Sequence, residues 1–178
     1  LRDRLLGEIA VTRREAGAAG IYATHDTAEA LAIADRVLLL RDGAVVQAGT
    51  PTDVYEAPVD AWAARLTGPA SEIEARIVTA AGDLVELDVA GVPIRARVDG
   101  GGNPCETVAG PVRLLVRPDW AAIGGPLRGS VSAIRFRGSH TDIDLRTPAG
   151  PITIRQPGPP SLAVGDVTGW SLRRGRHV

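Results

Sequence analysis

Hydrophobic and polar positions change their period once along the chain, near residue 68. Before it, Leu1, Leu5, Leu6, Ile9 and Ala10 recur at helical spacing with Arg and Glu between them, so residues 1–16 predict an amphipathic helix ending near Gly17 and Gly20. Residues 21–24 are short, apolar and β-prone, and predict a buried strand of a parallel sheet. An Ala-rich helix is expected over 27–34 and a second buried strand over 37–40. Asp42-Gly43 suits the positive φ angles of a tight hairpin turn, with 44–48 as the returning strand. Thr50-Pro51-Thr52-Asp53 opens another helix: Thr50 can cap, Pro51 fits the first turn, and Asp53 places an acid there. A further helix is expected around 59–66.

Beyond "TGPASE", residues 67–72, helical periodicity gives way to short alternating runs: "IEARIV", "LVELDV", "VPIRARV", "VRLLVR", "LRGSVSAIRF", "TDIDLRT", "PITIRQ" and "VTGWSL". Gly, Pro, Asn and Asp separate them, which is the signature of a small all-β barrel or sandwich. The predicted domains are therefore 1–67 and 68–178. The Gly-rich loop over 99–111 is expected either to be mobile or to divide two β lobes.

Composition narrows the function classes. The chain has 178 residues, 44% hydrophobic and 23% charged, close to an ordinary globular domain. All 20 basic residues are Arg, and the net charge is −1, which disfavours bulk attraction to nucleic acid. Residues 1–67 hold 7 Arg against 10 acids and residues 68–178 hold 13 against 11, too little asymmetry to make a polyanion-binding face. A single cysteine, Cys105, excludes an internal disulfide and a thiolate metal cluster, and fits a reducing compartment. No apolar run approaches a membrane span of about 18–20 residues. The chain lacks Met, and Leu1 falls within the first helical pattern, so a piece of a longer protein is expected.

The candidate chemistry lies at His25 and Asp26, where a strand pattern passes into a helical one. Strand ends of open parallel sheets collect ligands, and an imidazole there can bond a phosphate oxygen. Taken alone, a histidine satisfied by a backbone carbonyl explains the position better.

The residues around it resemble the end of the nucleotide-binding domain of ABC-importer ATPases. The match runs through Thr24-His25-Asp26, Glu29-Ala30, Ala34-Asp35-Arg36, Asp42-Gly43, Gly49-Thr50-Pro51 and Tyr55-Glu56-Ala57-Pro58 in fixed order. The resemblance implies an α/β remnant of a P-loop ATPase domain over 1–67. It also implies that His25 is the switch histidine, contacting the γ-phosphate of ATP and helping to place the attacking water, and that Asp26 is the adjacent acid near the dimer interface. The other parts of such a site are not in the sequence. A chain without lysine cannot contain G-x-x-x-x-G-K-[ST], and neither Leu-Ser-Gly-Gly nor an apolar strand ending in Asp-Glu occurs. ATP and Mg²⁺ are accordingly expected in a full-length parent and not in these residues alone, which are expected to be inactive by themselves.

In the second half, "LLVRPDWAAI", "LRGSVSAIRFRGSHTDIDLRT" and "LAVGDVTGWSL" resemble the OB-like regulatory extension of such ATPases, the TOBE domain, with Asp119 where the family usually has Glu. The resemblance implies transmembrane permease partners, a second ATPase copy forming a homodimer, and a peripheral place on the inner face of the bacterial plasma membrane. It implies neither nucleic acid nor direct membrane insertion. The transported substrate would be a sugar, polyamine, ferric iron or an oxyanion. A stand-alone OB-like small-ligand or oxyanion-binding module is the alternative.

Other features have plainer readings. Arg135, Phe136, Arg137 and His140 are read as a solvated strand edge, and Ser139, His140 and Thr141 as a polar turn. Asp142 and Asp144 are read as a solvated face with Arg neighbours, not a metal site. Trp62, Trp120 and Trp170 are expected to pack. His177 with Arg173, Arg174 and Arg176 is read as a disordered end, and no catalysis is assigned to Cys105.

Overall fold

Asp42 and Gly43 have φ of 52° and 78°. Such a turn matches the twist of the strands it joins, β1 (Val37–Arg41) and β2 (Ala44–Gly49). The computed structural model describes residues 7–8, 11–12, 15–81, 84–100 and 109–177. β1 and β2 pair antiparallel, with a bulge between Leu39 and Leu40. Val37 and Leu39 are buried, whereas Leu38 and Leu40 are exposed. This strand is therefore half-buried rather than covered on both faces, as its side-chain alternation dictates.

Residues 21–24 depart further from expectation. They form no strand, and Ile21 is fully exposed. A strand exists only where a neighbour accepts its backbone hydrogen bonds, and no strand among the described residues pairs with this segment. Of the helix expected over 1–16, only parts are described, with a helical hydrogen bond from the Ala16 amide to the Thr12 carbonyl at 3.0 Å. The rest lies outside the described residues.

Three short helices follow their caps. Asp26 caps α1 (Thr27–Ile33) by accepting from the Glu29 amide. Thr50 caps α2 (Pro51–Glu56) in a reciprocal box with Asp53, and Asp60 caps α3 (Ala61–Thr67) by accepting from the Ala63 amide. Val37, Leu39, Val54 and Ala63 form the core, with Leu31, Ala34, Val46 and Trp62 packed against it. The Gln47 amide satisfies the link between α2 and α3. Its Nε2 donates to the Ala57 carbonyl at 2.9 Å, and its Oε1 accepts from the Val59 amide at 3.0 Å.

The chain folds as two compact units, Leu1–Gly68 and Pro69–Val178. The second consists of β3 (Ser71–Ala81), β4 (Leu84–Val89), β5 (Val92–Asp99), β6 (Gly110–Val116), β7 (Ala121–Phe136), β8 (His140–Thr147), β9 (Gly150–Pro157), β10 (Val167–Leu172) and β11 (Arg174–His177). Strands β11-β5-β4-β3-β6 close into an OB-like barrel, with β11 parallel to β5 and antiparallel to β6. A four-stranded antiparallel sheet, β10-β7-β8-β9, is inserted in the chain before the last barrel strand. It docks on the barrel through the Glu74 amide on the Ala149 carbonyl at 2.8 Å and the Thr153 amide on Ser71 Oγ at 3.0 Å. Barrel and sheet bury Ile73, Leu87, Leu114, Ile143, Ile152 and Trp170.

The terminal arginines are a correction. Instead of a disordered end, Arg174 and Arg176 belong to β11. Arg174 Nε pairs with Asp99 Oδ2, and its guanidinium lies 4.4 Å from the centre of the Trp120 ring. These contacts give a charged segment a reason to join the barrel. Cys105 and most of the Gly-rich loop lie outside the described residues.

Candidate functional site

Helix α1 begins at Thr27 because Asp26 replaces the missing carbonyl partner of its first turn. The Asp26 carboxylate accepts from the Glu29 amide at 3.2 Å. His25 sits just before this cap, in a bend, with its side chain exposed. An exposed imidazole is free to meet a phosphate. The helix start is a weaker candidate, since the Asp26 carboxylate already takes up one of its amides.

The backbone around His25 is tied on both sides. The Asp26 amide donates to Thr24 Oγ1 at 3.0 Å, and Thr24 Oγ1 donates to Glu29 Oε2 at 3.3 Å. The Tyr22 hydroxyl donates to the same Glu29 oxygen at 3.0 Å. Glu29 is only 6% exposed. In the sequence Glu29 stands out only as a letter of the motif. Its signal was a carboxylate set among Ala28, Ala30 and Leu31, with hydroxyl residues just upstream.

The β unit gathers a second polar cluster. Asp142 is 5% exposed and receives Nε and Nη2 of Arg155 at 2.8 and 3.2 Å. Arg137 and His140 approach it at 4.0 and 3.8 Å. Asp144 receives both terminal nitrogens of Arg135 at 2.6 and 2.7 Å, and the Thr153 hydroxyl at 2.8 Å. The Arg155 hydrogen bonds hold the Asp142 carboxyl below the usual carboxylate range despite its burial, and Arg135 does the same for Asp144. The expected Arg neighbours are present, but Asp142 is buried rather than solvated, with Arg155 directly opposite it on β9 bonded to its carboxylate. Among the described residues no group of three or more His, Cys, Asp or Glu could hold a metal ion.

Only Ser139 stands in the bend before β8; His140 and Thr141 open the strand itself and Thr141 is buried, so the expected polar turn is shorter than the three residues. Ser139 Oγ lies 3.1 Å from His140 Nδ1, the Gly158 amide donates to the Ser139 carbonyl at 2.9 Å, and Thr141 Oγ1 donates to the Gly158 carbonyl at 2.7 Å. Phe136 and Arg137 stand exposed at the strand edge. Trp120 and Trp170 are buried, and Trp62 packs on the helical core.

A five-stranded barrel closed by a late strand thus follows, along the chain, a segment of capped helices that carries Thr-His-Asp. Residues 114–176 match the TOBE domain family, and the chain is homologous to the C-terminal region of ABC-importer ATP-binding subunits. It is 34% identical over 158 residues to the Fe(3+) ions import ATP-binding protein FbpC of Rhizobium etli, covering 86% of this chain and 43% of that protein. It is 30% identical over 161 residues to the protein of that name from Brucella abortus, covering 88% and 44%. It is also 34% identical over 156 residues to the spermidine/putrescine import ATP-binding protein PotA of Methylococcus capsulatus, covering 85% and 40%. The chain thus spans less than half the length of these relatives. Because the similarity extends well ahead of the barrel, a stand-alone ligand-binding barrel is not favoured. No helix among the described residues is long and apolar enough to cross a membrane.

Proposed function

We propose that this chain serves as the C-terminal part of an ABC-importer ATP-binding subunit, with residues 1–67 ending the nucleotide-binding domain and residues 68–178 forming the regulatory TOBE domain. The observation that carries this reading is the exposed His25 between Thr24 and the helix-capping Asp26, in a chain whose residues 114–176 match the TOBE family. The relatives named for ferric iron and for spermidine/putrescine import support cargo of those kinds.

The residues present fit one contact of an ATP site. His25 offers an imidazole to a γ-phosphate oxygen, where it would orient the attacking water, since phosphoryl transfer rests mainly on positioning and charge stabilisation. With no lysine the chain holds no Walker A phosphate loop, and it has no apolar strand ending in Asp-Glu to hold Mg²⁺, so the full-length subunit supplies both. By itself the chain neither binds ATP tightly nor hydrolyses it. Permease subunits and a second ATPase copy complete the assembly at the inner face of the membrane. Asp26 faces that second copy, and the β domains of the two copies meet.

The test is ATP turnover by the assembled transporter whose ATP-binding subunit contains this chain. His25→Ala should lower turnover by about 10²-fold or more, in the range of losing one transition-state contact. Unchanged turnover in that variant, or ATP hydrolysis by the 178 residues alone, overturns the reading.

A further inference from the structure

Glu29 spans the histidine turn from behind. It lies one helical turn beyond His25, buried, and it touches the segment on both sides of that residue. Upstream, its Oε2 accepts from the hydroxyls of Tyr22 and Thr24. Downstream, its own amide donates to the Asp26 carboxylate, while the Asp26 amide returns to Thr24 Oγ1. The result is a closed ring of hydrogen bonds around His25. A carboxylate buried to this degree is costly unless such donors compensate it, so its presence on an Ala-rich helix calls for a role.

We propose that Glu29 is a positioning residue for His25: through Thr24, Tyr22 and Asp26 it holds the histidine turn in one geometry and leaves the imidazole exposed for phosphate. This rests on the proposed role of His25. The physical reason is entropic. A turn exposed to water samples several conformations, and phosphate contact requires one of them; misplacement by about 1 Å can cost on the order of 10²-fold in rate. Glu29 does not touch the nucleotide, and its effect passes through the backbone of residues 24–26.

Two readouts test this. In the 178-residue chain, hydrogen exchange of the Asp26 amide in Glu29→Ala should accelerate about tenfold or more, as expected when a local hydrogen bond is released, while amides of β7 and β8 stay unchanged. Glu29→Gln keeps an acceptor oxygen for the two hydroxyls and should restore protection to within about twofold. In the assembled ATPase, Glu29→Ala should lower kcat by about 10–100-fold with KM for ATP nearly unchanged, and Glu29→Gln should recover most of it. Should Glu29→Ala unfold the helical unit, Tyr22→Phe, which removes one donor to Glu29 and leaves the acceptor of the Asp26 amide in place, is read instead, with changes in the same direction. Unaltered Asp26 exchange, or full kcat in Glu29→Ala where His25→Ala is inactive, overturns the proposal. If instead His25→Ala leaves turnover intact while Glu29→Ala still loosens the turn, the function of His25 fails and the clamp stands.

Discussion

Gly169 passes so close to Gly125 that a Cβ on its α-carbon would stand 2.5 Å from the Gly125 carbonyl oxygen, and a Cβ on Gly125 would stand 2.7 Å from the Trp170 carbonyl. The crossing occurs where the β7–β10 ladder shifts register, between Gly169 opposite Arg128 and Trp170 opposite Ile123. Gly125 also has φ of 135°, outside the range of ordinary side chains. Backbone cannot yield there as a flexible side chain would. Gly169→Ala should therefore destabilise the β unit by about 1–3 kcal/mol, the usual cost of overpacking, read as a lower midpoint in urea unfolding.

Asp142 and Arg155 form a pair in which the carboxylate side chain is 7% exposed and the guanidinium side chain 34%. Removing one partner of a fully buried pair costs about 3–5 kcal/mol, and the water around Arg155 brings the expected loss for Asp142→Ala nearer to about 2 kcal/mol. Arg155→Ala should cost more than Arg137→Ala, because Arg137 stands at 4.0 Å and is 57% exposed. Chemical denaturation of the three variants gives the order.

The same carboxylates set an acid dependence. Asp142 and Asp144 are held below the usual carboxylate range by Arg155 and Arg135 respectively. With the folded value below the unfolded one, their stabilisation is fully present above the unfolded carboxylate range and disappears as pH falls through the lowered folded values. Unfolding midpoints should fall steadily on acidification below about pH 5. In Asp142→Asn combined with Asp144→Asn that slope should flatten.

Thr50 accepts from the Asp53 amide at 3.1 Å and donates to Asp53 Oδ2 at 2.7 Å, while its own amide donates to the same carboxylate oxygen at 3.2 Å. Thr50→Ala opens this box and should lower stability of the helical unit by about 1 kcal/mol. Thr50→Ser should retain most of it. Circular dichroism during thermal unfolding distinguishes them.

Arg174 joins Asp99 and Trp120, whose sequence positions are far from its own. Replacing Asp99 by Asn should loosen β11 first, so amide exchange at Gly175 and Arg176 should quicken before that of β3 and β4. Equal acceleration throughout the barrel would show that β11 closes it by backbone pairing alone.

Local signals account for what the sequence by itself determined. Asp42-Gly43 specified its turn, and Thr50 and Asp53 the start of their helix. The alternating runs from "IEARIV" to "VTGWSL" marked where the strands from β3 to β10 fall, because alternation is a local pattern, whereas pairings such as β3 with β6 and β10 with β7 join distant residues. Tertiary structure decided what required distant partners. Strand β11 is charged and has no alternating pattern, and its partners are distant: it pairs with β5 and β6, and Arg174 meets Asp99, 75 residues earlier in the chain. The four-stranded sheet is separate from the barrel yet bound to it through Thr153 and Ser71, 82 residues apart. Burial of Asp142 likewise followed from the Arg155 guanidinium that the β8–β9 pairing brought to it. Residues 21–24 have strand propensity but no strand among the described residues to pair with, and hydrogen-bonding partners rather than propensity make a sheet.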